Sequence, residues 1–189
     1  MVTLNKIYTR TGDGGRTRLS SGAPVAKSDP RVEAYGSVDE TNAVIGLVRL
    51  HTAGDLVLDP MLSRIQNDLF DLGADLATPG EAEGALRIVE AQVDRLEREI
   101  DLLNGELEPL SSFVLPGGCA AAAYLHQART VCRRAEREAV RLAQIEGQIV
   151  GAPALKFLNR LSDLLFVASR WANAKGRSDV LWAPGANRN

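Results

Sequence analysis

Apolar residues recur every three or four positions along most of the chain after residue 28. This spacing places them on one face of an α-helix and predicts helices packed around a shared core. Three stripes are complete: Leu62, Ile65, Leu69, Leu72 and Leu76; Val89, Val93, Leu96, Ile100 and Leu103; Ala154, Leu158, Leu161, Leu165 and Ala168. Two more helices are predicted, over 28–51 and from about 118 to 144. No alternating apolar and polar run is long enough to predict a strand.

Turn-forming sequences separate the predicted helices: "TAGD" at 52, "TPGEAEG" at 78, "NGELEP" at 104 and "EGQIVGAP" at 146. Ser28 and Asp29 precede Pro30, which is a typical helix start. We therefore predict an all-α fold, a five-helix antiparallel bundle over residues 28–176. Residues 1–27 form an extended N-terminal segment and 177–189 a C-terminal tail, within a single domain spanning 1–189.

Composition narrows the functional classes. The chain has 189 residues, 45% of them hydrophobic, with a net charge of -2. That balance argues against nucleic-acid binding, which leaves a strongly basic surface. The two cysteines and two histidines lack the spacing of a zinc site, so no metal ligands are assigned. Without a secretory signal or a membrane-length apolar run, we expect a soluble, cytoplasmic protein.

A glycine-rich segment, "YTRTGDGGRT", begins at Tyr8. Backbone N–H groups in such segments can converge on a phosphate. Thr17 stands where both common phosphate-binding motifs require glycine, so the segment matches neither. From these residues alone it is either an anion-binding loop or a polar tight turn.

The fourth predicted helix carries arginines four residues apart: Arg129, Arg133 and Arg137. They lie on one side of the helix over about 12 Å, with Glu136 in the same arc and Arg134 pointing away. Like charges at this spacing are mildly destabilising, so the stripe suggests an anionic ligand or partner. The alternative is a solvated face with Arg133–Glu136 and Arg134–Glu138 pairs.

Other polar positions interrupt apolar helix faces. Asp39 and Asn42 share one face of the first helix, and a buried carboxylate there would need an arginine partner. An exposed acidic turn near the helix start is equally consistent. Asn159 is either a core hydrogen-bonding residue or a site residue. Phe113, in "FVLPGG", either packs in the core or faces a flat apolar ligand.

Five segments in order from residue 7 to 166 together resemble one family: "IYTRTGDGGRT", "KSDPRVEAYGSVDETNAVIG", "FVLPGG", "LHQARTVCRRAER" and "KFLNRLSDLLF". The resemblance is to the PduO-like, trimeric ATP:cob(I)alamin adenosyltransferases, whose bundle is ferritin-like. Thr41, where a leucine is more usual, is a small departure that concerns packing.

The resemblance implies roles for residues along the whole chain. The implied ATP-binding residues are Thr9, Arg10, Thr11, Gly12, Thr17, Arg18 and Lys27 in the N-terminal loop, and Arg133, Arg134, Ala135, Glu136, Arg137 and Asn159 in the bundle. Asp39 and Arg129 resemble a pair that joins two subunits across the site. Phe113 resembles the aromatic residue beneath the corrin ring, which excludes the lower axial ligand.

The implied reaction transfers the 5′-deoxyadenosyl group of ATP to reduced cobalamin and releases triphosphate. ATP, Mg²⁺ and cobalamin as its Co(I) form are the implied ligands, and a homotrimer with sites between subunits is the implied assembly. Delivery of the product to an adenosylcobalamin-dependent mutase is a further expectation. Two alternatives stay open: a cobalamin or nucleotide carrier without turnover, and a helical oligomer whose arginines form a charged seam.

Overall fold

Five helices form the body of the protein, in a computed structural model that describes residues 7–188. The helices are α1 (Pro30–Thr52), α2 (Leu58–Ala77), α3 (Glu90–Asn104), α4 (Ala120–Ala143) and α5 (Ala152–Ala172). The all-α prediction is confirmed, and every predicted helix is present. No helix within residues 7–188 has the length and apolarity needed to span a membrane.

A small hairpin precedes α1, which the sequence did not predict. Strand β1 (Arg16–Arg18) pairs antiparallel with β2 (Pro24–Ala26), and Thr17 lies opposite Val25. Three-residue strands are too short to show an alternating pattern, so the prediction of no strand was wrong here. The hairpin docks on the C-terminal end of α2, where Ser20 Oγ donates to Ala77 O at 2.9 Å.

The start of α1 follows directly from its sequence. Asp29 is the N-cap, its carboxylate accepts from Arg31 N at 2.9 Å, and Pro30 occupies the first turn. The Arg31 side chain is only 2% exposed and donates to Leu76 O and to Gln148 Oε1. Arg31 therefore ties the start of α1 to α2 and to the α4–α5 loop.

The predicted stripes form the core. All five α2 residues of the stripe are buried, as are all five in α5. The α3 stripe is wrong at one position, because Val89 is the N-cap and is 52% exposed. Burial of these apolar side chains is the main driving force for folding.

Side-chain pairs fix the direction of the helices. Glu40 of α1 pairs with Arg134 of α4, and His51 stacks on Tyr124 at 5.4 Å between ring centroids, so α1 and α4 are antiparallel. Helix α1 packs against α2 and α4, and α5 packs against α3 and α4. We call the end with the β-hairpin the hairpin end, and the end with loop 105–119 and residues 173–188 the tail end.

Candidate functional site

The arginine stripe of α4 forms a polar cluster with α5. Arg133 Nη1 lies 3.9 Å from Glu136 Oε2, which confirms the predicted pair, and Arg137 Nη1 donates to Arg133 O at 3.0 Å. Asn159 Nδ2 donates to Glu136 Oε1 at 3.0 Å. The structure thus brings four predicted site residues together. We call this cluster, together with Arg129, the arginine face.

Arg129 and Arg133 line one cavity between α4 and α5, of about 210 Å³. Its other walls are side chains of α5: Ser162, Asp163, Phe166 and Val167. The Arg129 Nε is buried, and no hydrogen-bond partner is found for it among the described residues. Burial and the nearby Arg133 charge lower the pKa of Arg129. Two close guanidinium groups with an unsatisfied donor are suited to a multiply charged anion.

Two residues of the predicted ATP set lie off the arginine face. Arg134 pairs with Glu40 of α1, so the alternative Arg134–Glu138 pair is wrong; Glu138 pairs with Arg141 instead. Ala135 is fully buried in the core. Its small size lets α4 pack closely, and its side chain is not available on the surface.

The glycine-rich segment brings Gly12 beside Lys27. A Cβ at position 12 would lie 3.2 Å from Lys27 Nζ and 3.3 Å from Arg16 O, so glycine leaves room for the ammonium group over the loop. Lys27 N also donates to Gly15 O at 2.8 Å. Arg10 has a φ of 63°, which is unusual for a residue with a side chain and marks a tightly turned backbone.

The remaining predicted loop residues surround this turn. Thr9 and Thr11 share a hydrogen bond of 2.8 Å between their hydroxyl oxygens. Thr17 lies in β1, and Arg18 Nη1 donates to Gly22 O across the hairpin at 2.8 Å. The hairpin docks on α2, whereas the arginine face lies on the α5 side of α4. Within one chain, the two predicted halves of the ATP site lie on different sides of the bundle.

Asp39 is exposed and lines a groove between α1 and α2 of about 400 Å³. The expectation of a buried carboxylate is wrong, and the alternative of an exposed one is confirmed. The groove is otherwise largely apolar and includes Tyr35, Leu69 and Phe70, the last of which is 71% exposed. Asp39 on this groove and Arg129 beside α5 occupy different faces of the chain.

Phe113 lies at the tail end and is 76% exposed, so it is not a core residue. Its ring centroid is 5.9 Å from that of Trp182. Trp182 N donates to Phe113 O at 2.8 Å, and Leu115 N donates to Val180 O at 2.7 Å. The tail, which the sequence placed outside the bundle, pairs with the loop before α4 and presents two aromatic rings together.

Of the two free cysteines, Cys119 is exposed and Cys132 is buried. Within residues 7–188 there is no group of three or more His, Cys, Asp or Glu side chains that could hold a metal ion. Cys132 is buried and its Sγ donates to Leu158 O at 3.3 Å, while burial raises the pKa of its thiol. Such a cysteine packs in the core and is not a nucleophile.

Sequence reasoning missed Phe166 and Ser162 in the arginine cavity and Trp182 beside Phe113. Phe166 and Ser162 are four residues apart on α5, and both lie among apolar residues of that helix, so neither stood out as a site residue. No periodic signal marks Trp182, because it lies beyond the last helix.

Comparison with known proteins gives a consistent result. The family model for cobalamin adenosyltransferase matches residues 7–172. A corrinoid adenosyltransferase from Mycobacterium tuberculosis is 50% identical over 190 residues, covering 99% of this chain and 97% of the relative. One from Bacillus subtilis is 42% identical over 179 residues, covering 93% of this chain and 91% of the relative.

Solved structures agree in fold. A variant PduO-type ATP:corrinoid adenosyltransferase from Lactobacillus reuteri, complexed with cobalamin and ATP, superposes with a TM-score of 0.88 at 40% identity. The match covers 95% of this chain and 97% of that chain. A second variant of this type from the same organism, complexed with ATP, gives a TM-score of 0.83 at 42% identity, covering 94% of this chain and 100% of that chain. The chain belongs to the cobalamin adenosyltransferase family.

Proposed function

We propose that the arginine face forms one half of an ATP site, and that the glycine-rich segment with the β1–β2 hairpin forms the other half. The two halves come from neighbouring copies of the chain. As a corrinoid adenosyltransferase, the protein transfers the 5′-deoxyadenosyl group of ATP to a Co(I) corrinoid and releases triphosphate. The observation that carries the ATP-site assignment is the cavity that Arg133 shares with Arg129, and the unsatisfied Arg129 Nε supports a contact with a neighbouring copy.

The departing triphosphate determines which charge the site must stabilise. A bond forms between cobalt and the ribose C5′ carbon, and the bond from C5′ to the triphosphate oxygen breaks, so negative charge grows on the triphosphate. Arg133, Arg137 and Lys27 are the cations we assign to that charge, together with the loop N–H groups near Gly12. Charged donors fixed before the reaction stabilise the charge that develops in the transition state.

Glu136 has an orienting role in this scheme. Its carboxylate already accepts from Asn159 and faces Arg133, so it holds both donors in place. It has no need to act as a general base, because the reduced cobalt is the nucleophile and carries no proton to remove. The substrate thus brings the reactive group, and the protein supplies position and charge.

Mg²⁺ enters this scheme as part of the substrate, MgATP. The described residues offer no carboxylate cluster to hold the ion alone, so the phosphates are its main ligands. Side-chain oxygens in the glycine-rich segment, the exposed carboxylate of Asp13 and the hydroxyl groups of Thr9, Thr11 and Thr17, would be the protein groups near MgATP there.

A homotrimer brings the two halves together in this proposal. The hairpin docks on α2 and the arginine face lies beside α5, so rotation of one copy against the next can place them in contact. The largely apolar groove around Asp39 and Phe70 lies on the hairpin side and fits such an interface. We propose that Asp39 of one subunit pairs with Arg129 of its neighbour. Delivery of the product to a mutase stays a prediction.

Anaerobic incubation with ATP, Mg²⁺ and chemically reduced cobalamin tests the function. We expect the absorbance spectrum to change to that of adenosylcobalamin, with one triphosphate released per cobalamin. A carrier would bind cobalamin and leave ATP intact. A structural oligomer would do neither, and either result would overturn the proposal.

Replacing Phe113 with alanine is expected to slow the reaction more from Co(II) cobalamin than from Co(I) cobalamin. The exposed ring is placed to exclude water and the lower axial ligand, and that exclusion eases reduction of Co(II). Leu56→Ala is the control, because Leu56 is 89% exposed and lies on the α1–α2 loop at the same end. Equal slowing from both oxidation states would contradict this role.

A further inference from the structure

A buried polar cluster lies at the tail end, outside the ATP site. The side chains of Arg170 and Asp179 are 7% and 3% exposed, and Arg170 Nε donates to Asp179 Oδ2 at 2.8 Å. Arg170 Nη2 also donates to Glu108 O at 2.8 Å. The cluster therefore joins the end of α5 to the α3–α4 loop and to the tail.

Asn173 connects this ion pair to the turn before α4. Its side chain accepts from Cys119 N at 3.0 Å and donates to Gly117 O at 3.3 Å, and it lies 3.4 Å from Asp179 Oδ1. A Cβ on Gly118, whose φ is +98°, would lie 2.1 Å from Asn173 Oδ1. Glycine is thus required at position 118 for two reasons. Its φ is positive, and the Asn173 side chain occupies the space that a Cβ would need.

Asp179 of the cluster directly precedes the tail residues 180–182, whose backbone pairs with that of Phe113 and Leu115. Asp179 precedes Val180, whose carbonyl accepts from Leu115 N, and Trp182 N donates to Phe113 O. The Ser112 hydroxyl adds a bond to Trp182 O at 2.8 Å. The neighbour of the exposed Phe113 ring is the Trp182 ring, and Trp182 also binds the Phe113 backbone, so the tail holds Phe113 in its orientation.

We propose that Asn173 and the Arg170–Asp179 pair are positioning residues for Phe113, acting through the tail at 180–182. This inference rests on the role assigned to Phe113 in the proposed function. The inference implies that the tail belongs to the part of the site that contacts the corrin ring. The buried pair is suited to the task, because a buried, hydrogen-bonded ion pair has one favoured geometry and is costly to break.

The main test is Asn173→Ala, with KM measured separately for reduced cobalamin and for ATP. We expect KM for cobalamin to rise about 10-fold while KM for ATP stays within about twofold, since the arginine face is untouched. The variant should also slow more from Co(II) than from Co(I), as Phe113→Ala does. Glu106→Gln is the control, because its pair with Lys175 joins the same segments but is exposed.

Two further measurements separate positioning from a general loss of structure. Trp182→Pro removes the N–H donated to Phe113, whereas Trp182→Ala removes the ring and keeps that N–H. If the tail acts through its backbone, the proline variant has the higher KM for cobalamin. Adding Asn173→Ala to Phe113→Ala should then raise KM for cobalamin by less than about a further twofold, because a residue that acts through Phe113 has little effect once Phe113 is gone.

The outcomes are distinct. A folded Asn173→Ala variant with unchanged KM for cobalamin, or with both KM values raised equally, overturns the positioning role alone. Additive effects of Phe113→Ala and Asn173→Ala overturn it as well. A Phe113→Ala variant with normal kinetics overturns the role of Phe113 and this inference together, while adenosyl transfer itself stands or falls by the absorbance assay.

Discussion

Replacing Arg133 with methionine is expected to lower kcat/KM for ATP by about 10²- to 10³-fold, the loss typical of one fixed donor to a developing charge. Methionine keeps the length of the aliphatic chain and removes the cation. Arg133 shares the α4–α5 cavity with Arg129 and is half exposed, so a bound triphosphate can reach it. Steady-state kinetics under anaerobic conditions measure the effect.

The loss should be confined to catalysis. The contact of Arg133 with Glu136 is 3.9 Å long and the Arg133 side chain is half exposed, so its removal should change the free energy of unfolding little. Arg141→Met is the matched control, since Arg141 lies on the same helix in an exposed pair with Glu138. Normal kinetics in Arg133→Met, or an equal loss in Arg141→Met, would contradict the assignment of the arginine face.

Asp39→Ala and Arg129→Ala are each expected to lower turnover by about 10²-fold without loss of helical structure, since each would break the proposed charge pair between subunits. Arg129 is half-buried and its Nε has no hydrogen-bond partner among the described residues, although Asp163 of the same chain lines its cavity, so a carboxylate of a neighbouring copy can still pair with it. Circular dichroism and turnover are the measurements.

Glu40→Ala is the control for Asp39→Ala. Glu40 is the next residue on α1, and it pairs with Arg134 within the chain, so its removal should change turnover by less than about twofold. Full activity in both Asp39→Ala and Arg129→Ala would exclude the proposed pair.

Much of the fold could be predicted because burial leaves a periodic trace in the sequence. The stripe from Leu62 to Leu76 locates α2, and Asp29 with Pro30 locates the start of α1. The arginine face was also predictable, because residues four apart on a helix must share a side. Such local signals depend only on the geometry of one element.

The rest depends on contacts between distant segments, which leave no such trace. The alternative interpretation of the arginine stripe paired Arg134 with Glu138 on its own helix, but Arg134 pairs with Glu40 of α1, because packing brings a second helix within reach. The β1–β2 hairpin and the pairing of Trp182 with Phe113 involve two or three residues each. These pairings are stabilised by contacts with the rest of the fold, and no hydrophobic periodicity in the sequence indicates them.

The separation of the two half-sites is the feature with the largest consequence. The glycine-rich segment and the arginines form parts of one ATP site by resemblance, yet the hairpin lies against α2 and the arginine face against α5. Within one chain the two segments are therefore apart, and the proposed ATP site requires a neighbouring copy for activity.

Mixing two inactive variants tests that requirement most directly. Asp39→Ala and Arg129→Ala chains, co-expressed or refolded together in equal amounts, form mixed oligomers in which some interfaces carry both native residues. Random assembly into a trimer leaves about one quarter of the interfaces intact, so we expect about one quarter of native turnover to return. Turnover that stays at the level of the separate variants, in oligomers shown to be mixed, would contradict a site shared between subunits.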